Sequence, residues 1–212
     1  MLFHPDSASR SAFRRQHNIS DNEFVVIYTG KITRDKKVDL LARAMEKKFP
    51  GPRKVTLLLV GSGSGDYFNK VKTMLDQSGN RALLFPTQPV TDLAQFYQAA
   101  DLAVWPGACS LSFFDAQSCG LPVIAEAIEA NKVRITDARA NGWLYQTDDA
   151  AALRQALEKC VAMQSSAFYQ IAENAREYVT KDFSYDIVAS QVEDIMVNRS
   201  SSWRRARIGR LA

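Results

Sequence analysis

The hydrophobic residues of this chain fall into two kinds of run. Residues 24–29 (FVVIYT) and 55–60 (VTLLLV) are apolar at nearly every position, the first ending at Gly30 and the second in GSGSG. Shorter runs follow at 82–85 (ALLF), 101–105 (DLAVW) and 121–125 (LPVIA). Continuous rather than alternating apolarity marks strands covered on both faces, as in a parallel sheet. Between these runs, 37–48, 66–77, 91–99 and 111–118 repeat their apolar residues with a helical period. Strand and helix in alternation predict an α/β fold with a doubly wound parallel sheet. A short helix is predicted at 7–16, before the first strand.

From about residue 148 the pattern turns wholly helical. Asp148 and Asp149 open AALRQALEKCVAM, in which Leu153, Ala156, Leu157 and Cys160 share one face. Two more amphipathic segments, 165–181 and 184–197, follow. The chain thus reads as one domain over 1–198, with a helical C-terminal extension and then a basic, flexible tail at 199–212.

Composition narrows the chemistry. With 46% hydrophobic and 24% charged residues among 212, the chain can build a full core without disulfide or metal staples. No apolar run approaches the ~20 residues needed to span a bilayer. The first residues, MLFHPDSASRSAFRRQ, lack a signal-peptide pattern, so a cytoplasmic location is expected. Cys109, Cys119 and Cys160 have no CxxC spacing, and His4 and His17 are the two histidines, too few ligands for a Cys/His zinc site. The same scarcity disfavours a Ser-His-Asp or Cys-His hydrolase.

The net charge of +4 is a local effect. Arg199, Arg204, Arg205, Arg207 and Arg210 lie in the last residues without an acid; taking these five from 27 basic residues leaves 22 against 23 acidic. Nucleic acid is therefore not an expected partner. The tail either touches anionic lipid, as a peripheral contact on the inner face of the membrane, or is a solvated end.

In open parallel sheets a ligand binds beyond the carboxyl ends of the strands, where strand order reverses. In the common order the first and fourth strands meet at that point. Here the first strand runs into TGKITRDKK and the fourth into WPGACSLSFFDAQ. Lys31, Arg34, Lys36 and Lys37 put four cations in the first loop. The second offers Gly107, Ala108, Cys109 and Ser110 before a helix starting near Leu111, and a helix N-terminus suits phosphate. Ser110 or Ser112 would cap that helix or bond the phosphate. Gly61 in Gly-Ser-Gly is either a weak phosphate signal or part of a tight turn. Asp115 points either at a ligand or at water, and Cys109 reads as a packed small side chain. A GxGxxG dinucleotide fingerprint and a P-loop are both absent.

These motifs resemble a known family, the retaining GT-B glycosyltransferases of the glycosyl transferases group 1 class (family 4), and in particular its C-terminal, donor-binding domain. The blocks that carry the resemblance are FHPD (3–6), YTGKITRDKKVDLL (28–41), LLLVGSGS (57–64), DLAVWPG (101–107), DAQSCGLPVIA (115–125), NGWLY (141–145) and FSYDIVASQ (183–191). The resemblance implies a Rossmann-like domain that holds a nucleoside diphosphate sugar without a metal or other cofactor. It places Lys31 and Lys36 on the donor diphosphate, and Gly30, Gly61, Gly107, Cys109, Ser110, Leu111 and Ser112 around the donor. The family's two glutamates, with seven residues between them, fall on Gly107 and Asp115. Asp115 keeps the acid that bonds the nucleotide ribose, whereas Gly107 removes the one that contacts the sugar. The family's Gly-Gly pair after PVIA is replaced by EAIEANKV.

The function implied is transfer of a sugar, with anomeric retention, to a glycan or lipid-linked acceptor. The acceptor would bind mainly to an N-terminal domain, so the chain reads as half an enzyme: a truncated or split reading frame, an excised domain, or one subunit of a two-chain transferase whose partner chain brings the N-terminal domain. Two other readings stand beside it: a non-catalytic nucleotide-sugar-binding module, and a sugar-nucleotide epimerase of similar fold.

Overall fold

The computed structural model describes residues 2–208, apart from the side chains of residue 185 and residues 198–208. Six parallel strands form one sheet: β1 (Phe24–Thr29), β2 (Val55–Val60), β3 (Arg81–Phe85), β4 (Leu102–Trp105), β5 (Val123–Glu126) and β6 (Gly142–Tyr145), in the order β3-β2-β1-β4-β5-β6. β1 and β2 pair along their whole length, from Phe24 opposite Val55 to Thr29 opposite Val60. Every residue of both is buried, as the continuous apolar runs require. The order reverses between β1 and β4, which makes these two strands neighbours as the sequence predicts.

Helices cover both faces. α1 (Ser7–Gln16), α4 (Val90–Ala99), α5 (Ser112–Ser118) and α8 (Ser165–Asp182) pack in one layer; α2 (Val38–Ala44), α3 (Gly65–Asp76) and α7 (Ala150–Ala162) pack in the other. Asp6 caps α1 by accepting from the N–H groups of Ala8 and Ser9, and Asp149 caps α7 from Ala151 and Ala152. Arg14, 1% exposed, locks α1 to the sheet by donating to the Ala99 and Glu23 carbonyls and pairing with Asp101 at 2.9 Å. The extension continues past α8 as α9 (Tyr185–Ile208), whose helical backbone takes in the first part of the basic segment. The arginine side chains of that segment, and residues 209–212 altogether, lie outside the described residues.

Two features depart from the sequence expectation. The helix predicted over 37–48 is broken at its start and shortened at its end: a 3-10 turn at Arg34–Lys36 leads into Lys37 with φ +51°, and α2 stops at Ala44. β6 and the one-turn α6 (Glu129–Lys132) were not expected as elements, since four residues are too few to show a period.

Candidate functional site

The site grows from the ends of β1 and β4. Beyond Thr29 the chain turns at Gly30 (φ +146°), whose N–H donates to the Val60 carbonyl. The Tyr28 hydroxyl donates to the Lys31 carbonyl at 2.7 Å, and the Ile32 N–H donates to the Ser62 carbonyl. The loops after β1 and β2 therefore run side by side. A Cβ at Gly61 would lie 1.8 Å from the Gly30 carbonyl oxygen, so only glycine fits there. Backbone approach, the tight-turn reading, accounts for Gly61.

The two crevice loops touch. A Cβ built on Gly107 would come within 3.1 Å of the Asp35 carbonyl oxygen and 3.5 Å of that of Lys36. Lys31 and Arg34 are exposed and Lys36 is 31% exposed, near enough to Cys109 to act on its thiol electrostatically. Lys37 is a correction to the cluster of four cations. Its Nζ lies 2.7 Å from Glu126 Oε1 and 2.7 Å from Asp148 Oδ1, so its charge is already committed to two carboxylates. Burial lowers the Lys37 pKa, but the two carboxylates outweigh that and hold it above the ordinary lysine value.

The β4 loop is held by side chains that sequence reasoning did not single out. Tyr145 of β6 donates to the Pro106 carbonyl at 2.5 Å. Asn131, wholly buried in α6, donates to the Gly107 carbonyl (3.1 Å) and the Glu126 carbonyl (2.9 Å), and accepts from the Cys109 N–H (3.1 Å). Arg134 donates to the Cys109 and Ser110 carbonyls at 3.1 and 3.2 Å, its guanidinium lying over the rings of Phe113 and Phe114. Asn131 stands in the EAIEANKV departure from the family pattern and Arg134 directly follows it, and that departure is the signal that could have found them.

The remaining predicted residues separate by environment. Neither Ser110 nor Ser112 caps α5: the N-cap is Leu111, and no side chain bonds the first turn. The N–H groups of Phe113 and Phe114 are taken by the Ser110 and Leu111 carbonyls, so the helix start is less open than expected. Ser112 is a hydroxyl partner of Tyr97, which also shares a 2.7 Å hydrogen bond with Thr29. Ser110 Oγ is buried and makes no hydrogen bond among the described residues. Leu111 is 76% exposed. Burial raises the Cys109 thiol to about 12, against the pull of Arg134, so it is no thiolate nucleophile at neutral pH. Burial likewise raises Asp115 to about 6, and no cation lies within ion-pair distance among the described residues.

A cavity of about 430 Å³ lies at the opposite end of the sheet, lined by Phe24, Arg53, Phe168 and Tyr169 among others. There Arg10 and Asp101 pair with each other at 2.7 Å, and Arg53 shares the lining with the acids Asp6 and Glu173. Among the described residues no group of three or more His, Cys, Asp or Glu is placed to hold a metal ion. No helix among them is long and apolar enough to cross a membrane.

Comparison with known proteins bears on this geometry. The family described as Glycosyl transferases group 1 matches residues 9–181. The D-inositol 3-phosphate glycosyltransferase of Mycobacteroides abscessus is 30% identical over 171 residues, 77% of this chain and 38% of that protein. The chain spans about half the length, or less, of the curated relatives it matches. Anabaena Alr3699/HepE, solved in complex with UDP-glucose, superposes with a TM-score of 0.78 at 21% identity, over 93% of this chain and 54% of that one. The C-terminal domain of a glycosyl transferase group 1 family protein (LpcC) from Francisella tularensis superposes with a TM-score of 0.71 at 20% identity, over 87% of this chain and 97% of that one. The shared fold is the Rossmann-like α/β arrangement of GT-B glycosyltransferases.

Proposed function

Because the chain belongs to the glycosyl transferases group 1 family, we propose that it is the C-terminal, donor-binding half of a retaining family 4 transferase. It holds a nucleoside diphosphate sugar in the crevice between the β1 and β4 loops. The observation that carries this reading is the meeting of those loops: the Lys31–Lys36 segment lies against Gly107 at the point where strand order reverses. The carbonyls of Pro106, Gly107, Cys109 and Ser110 are bonded by Tyr145, Asn131 and Arg134 from the β5–β6 side. Oxygen atoms that would repel an anion are thus drawn off the crevice. The unpartnered Ser110 hydroxyl remains as a donor.

In this reading Lys31 and Lys36 neutralise charge that develops on the departing diphosphate, which is electrostatic stabilisation of the transition state. Asp115 takes the ribose. A hydroxyl donated to its carboxylate favours the ionised form, so nucleotide binding tightens as pH rises through about 6. Gly30, Cys109, Leu111 and Ser112 complete the donor surround, and no cofactor is required. The sugar passes to a glycan or lipid-linked acceptor on the cytoplasmic side, and transfer needs a second domain, in this polypeptide or another. The superposition on 97% of a solved C-terminal domain of the family supports that division. The complex of a structural neighbour with UDP-glucose supports the donor class.

A second reading, a nucleotide-sugar-binding module without catalysis, is favoured by one observation. The position of the family's sugar-contacting acid is glycine, and the Asp35 carbonyl closes the space beside it.

Thermal unfolding with UDP, GDP, ADP, CMP and dTDP in turn tests the donor site. A nucleotide at ~100 times its dissociation constant adds ~2.7 kcal/mol, which raises the midpoint by roughly 5–10 °C for a chain of this size. The expected result is a shift with one base, abolished in Lys31→Ala and Lys36→Ala. No shift with any of the five sinks the proposal.

A further inference from the structure

Two residues at the crevice edge hold a backbone conformation that L-amino acids avoid, and they hold it in contact with each other. Lys37, after β1, has φ +51°, and Asp148, after β6, has φ +58°. A residue with a Cβ is strained in this region, whereas glycine enters it freely. The two residues belong to loops three strand positions apart, yet Lys37 Nζ lies 2.7 Å from Asp148 Oδ1. Both also converge on one oxygen at the end of β5. Glu126 Oε1 accepts from Lys37 Nζ at 2.7 Å and from the Asp148 N–H at 3.0 Å. Glu126 is 1% exposed, and a carboxylate so buried persists only with such partners.

The path from Lys37 to Glu126 crosses the end of β4, since β4 lies between β1 and β5. There Gly107 sits against the Asp35 and Lys36 carbonyls, with no side chain to hold the two loops apart. On the far side Asn131 binds both the Gly107 and the Glu126 carbonyls, so the β4 loop is enclosed between the lysine and the buried amide. The left-handed turn at Lys37 sends consecutive side chains different ways: Lys37 Nζ reaches Glu126, while Lys36 Nζ lies 3.9 Å from Asp35 Oδ2 and the Lys36 carbonyl faces Gly107.

We infer that Lys37, Glu126 and Asp148 form a clasp across the carboxyl edge of the sheet, and that they are positioning residues which set Lys36 against the Gly107–Ser110 loop. The inference rests on the donor-site reading above for its functional half. Its structural half, that the clasp couples the two loops, stands apart from any ligand.

The variants are Lys37→Gly, which permits the same backbone turn without the ammonium, Lys37→Arg, and the double variant Lys37→Gly/Glu126→Gln. Titration calorimetry with UDP, GDP and ADP well below the unfolding midpoint gives affinity, and hydrogen exchange at residues 34–40 and 107–110 gives loop order. Lys37→Gly is expected to weaken the bound nucleotide about tenfold and to speed exchange in both loops about tenfold. Lys37→Arg is expected to restore affinity to within about twofold. The double variant is expected to bind no more weakly than Lys37→Gly, because its members act as one unit. Wild-type affinity in Lys37→Gly with faster exchange overturns the positioning role. Unchanged exchange in that variant overturns the clasp itself. A wild type that binds none of the three nucleotides overturns the donor reading and the positioning role together, and the exchange data still decide the clasp.

Discussion

The two halves of the sheet share an apolar core but differ in length of strand and in the amides buried beside it. In the β1–β2 half both strands are six residues long, and side chains such as Val25, Ile27, Leu57, Leu58 and Leu59 are fully buried. In the β4–β6 half each strand has four residues, and Gln117, Asn131 and Asn141 are as fully buried as any leucine. Those amides bond backbone directly: Gln117 donates to the Asn141 carbonyl, Asn141 to that of Arg134, and Asn131 to those of Gly107 and Glu126. Apolar burial is strong but indifferent to direction, which suffices for a straight strand. A loop that must hold its carbonyls in one orientation needs directional bonds, and the β4 loop has them.

Substitutions test this contrast, beginning with the largest effect. Leu58→Ala in β2 is expected to destabilise by about 3–4 kcal/mol through transfer and cavity terms. Measured by urea unfolding, it should leave nucleotide affinity intact below the transition. Asn131→Ala is expected to cost about 2–3 kcal/mol, because it strips partners from buried backbone groups. Unlike Leu58→Ala, it should also weaken nucleotide binding; equal affinity in the two variants would erase the distinction between the halves.

The smallest effect sharpens the contrast through pH. The Asp115 carboxyl moves from 3.8 to about 6 on burial. Between about pH 4 and 6 the native state then binds more protons than the unfolded state, so stability falls as pH rises through that window. Asp115→Asn should flatten the fall and gain about 1 kcal/mol at pH 7, solvent screening at this partly buried group having cut the full value. An unchanged pH profile of the unfolding midpoint would remove Asp115 as its source.

The same contrast explains what was legible in the sequence. The runs at 24–29 and 55–60 show their burial in composition, and parallel topology then places the crevice between the first and fourth strands. Lys31 and Lys36 are legible as loop cations, but Lys37 has the same appearance and the opposite commitment, because its partner Glu126 is remote in sequence. Asn131 and Arg134 lie in or beside a four-residue helix that has no period to detect. Ser112 reads as a cap, yet its hydroxyl is drawn to Tyr97, a residue of another helix. Local patterns encode the apolar half, whereas the polar half depends on pairs that only the folded chain brings together.

The junction between the halves also carries its own optical reporter. Trp105 is 2% exposed and donates its indole N–H to the Thr29 carbonyl at 3.2 Å, bridging β4 to β1 directly beneath the two loops. Its emission is set by a dry environment and by one carbonyl dipole whose strand continues into Gly30 and Lys31. With Trp143 and Trp203 replaced by phenylalanine, the wavelength of this single fluorophore would follow rearrangement at the crevice floor without any attached dye.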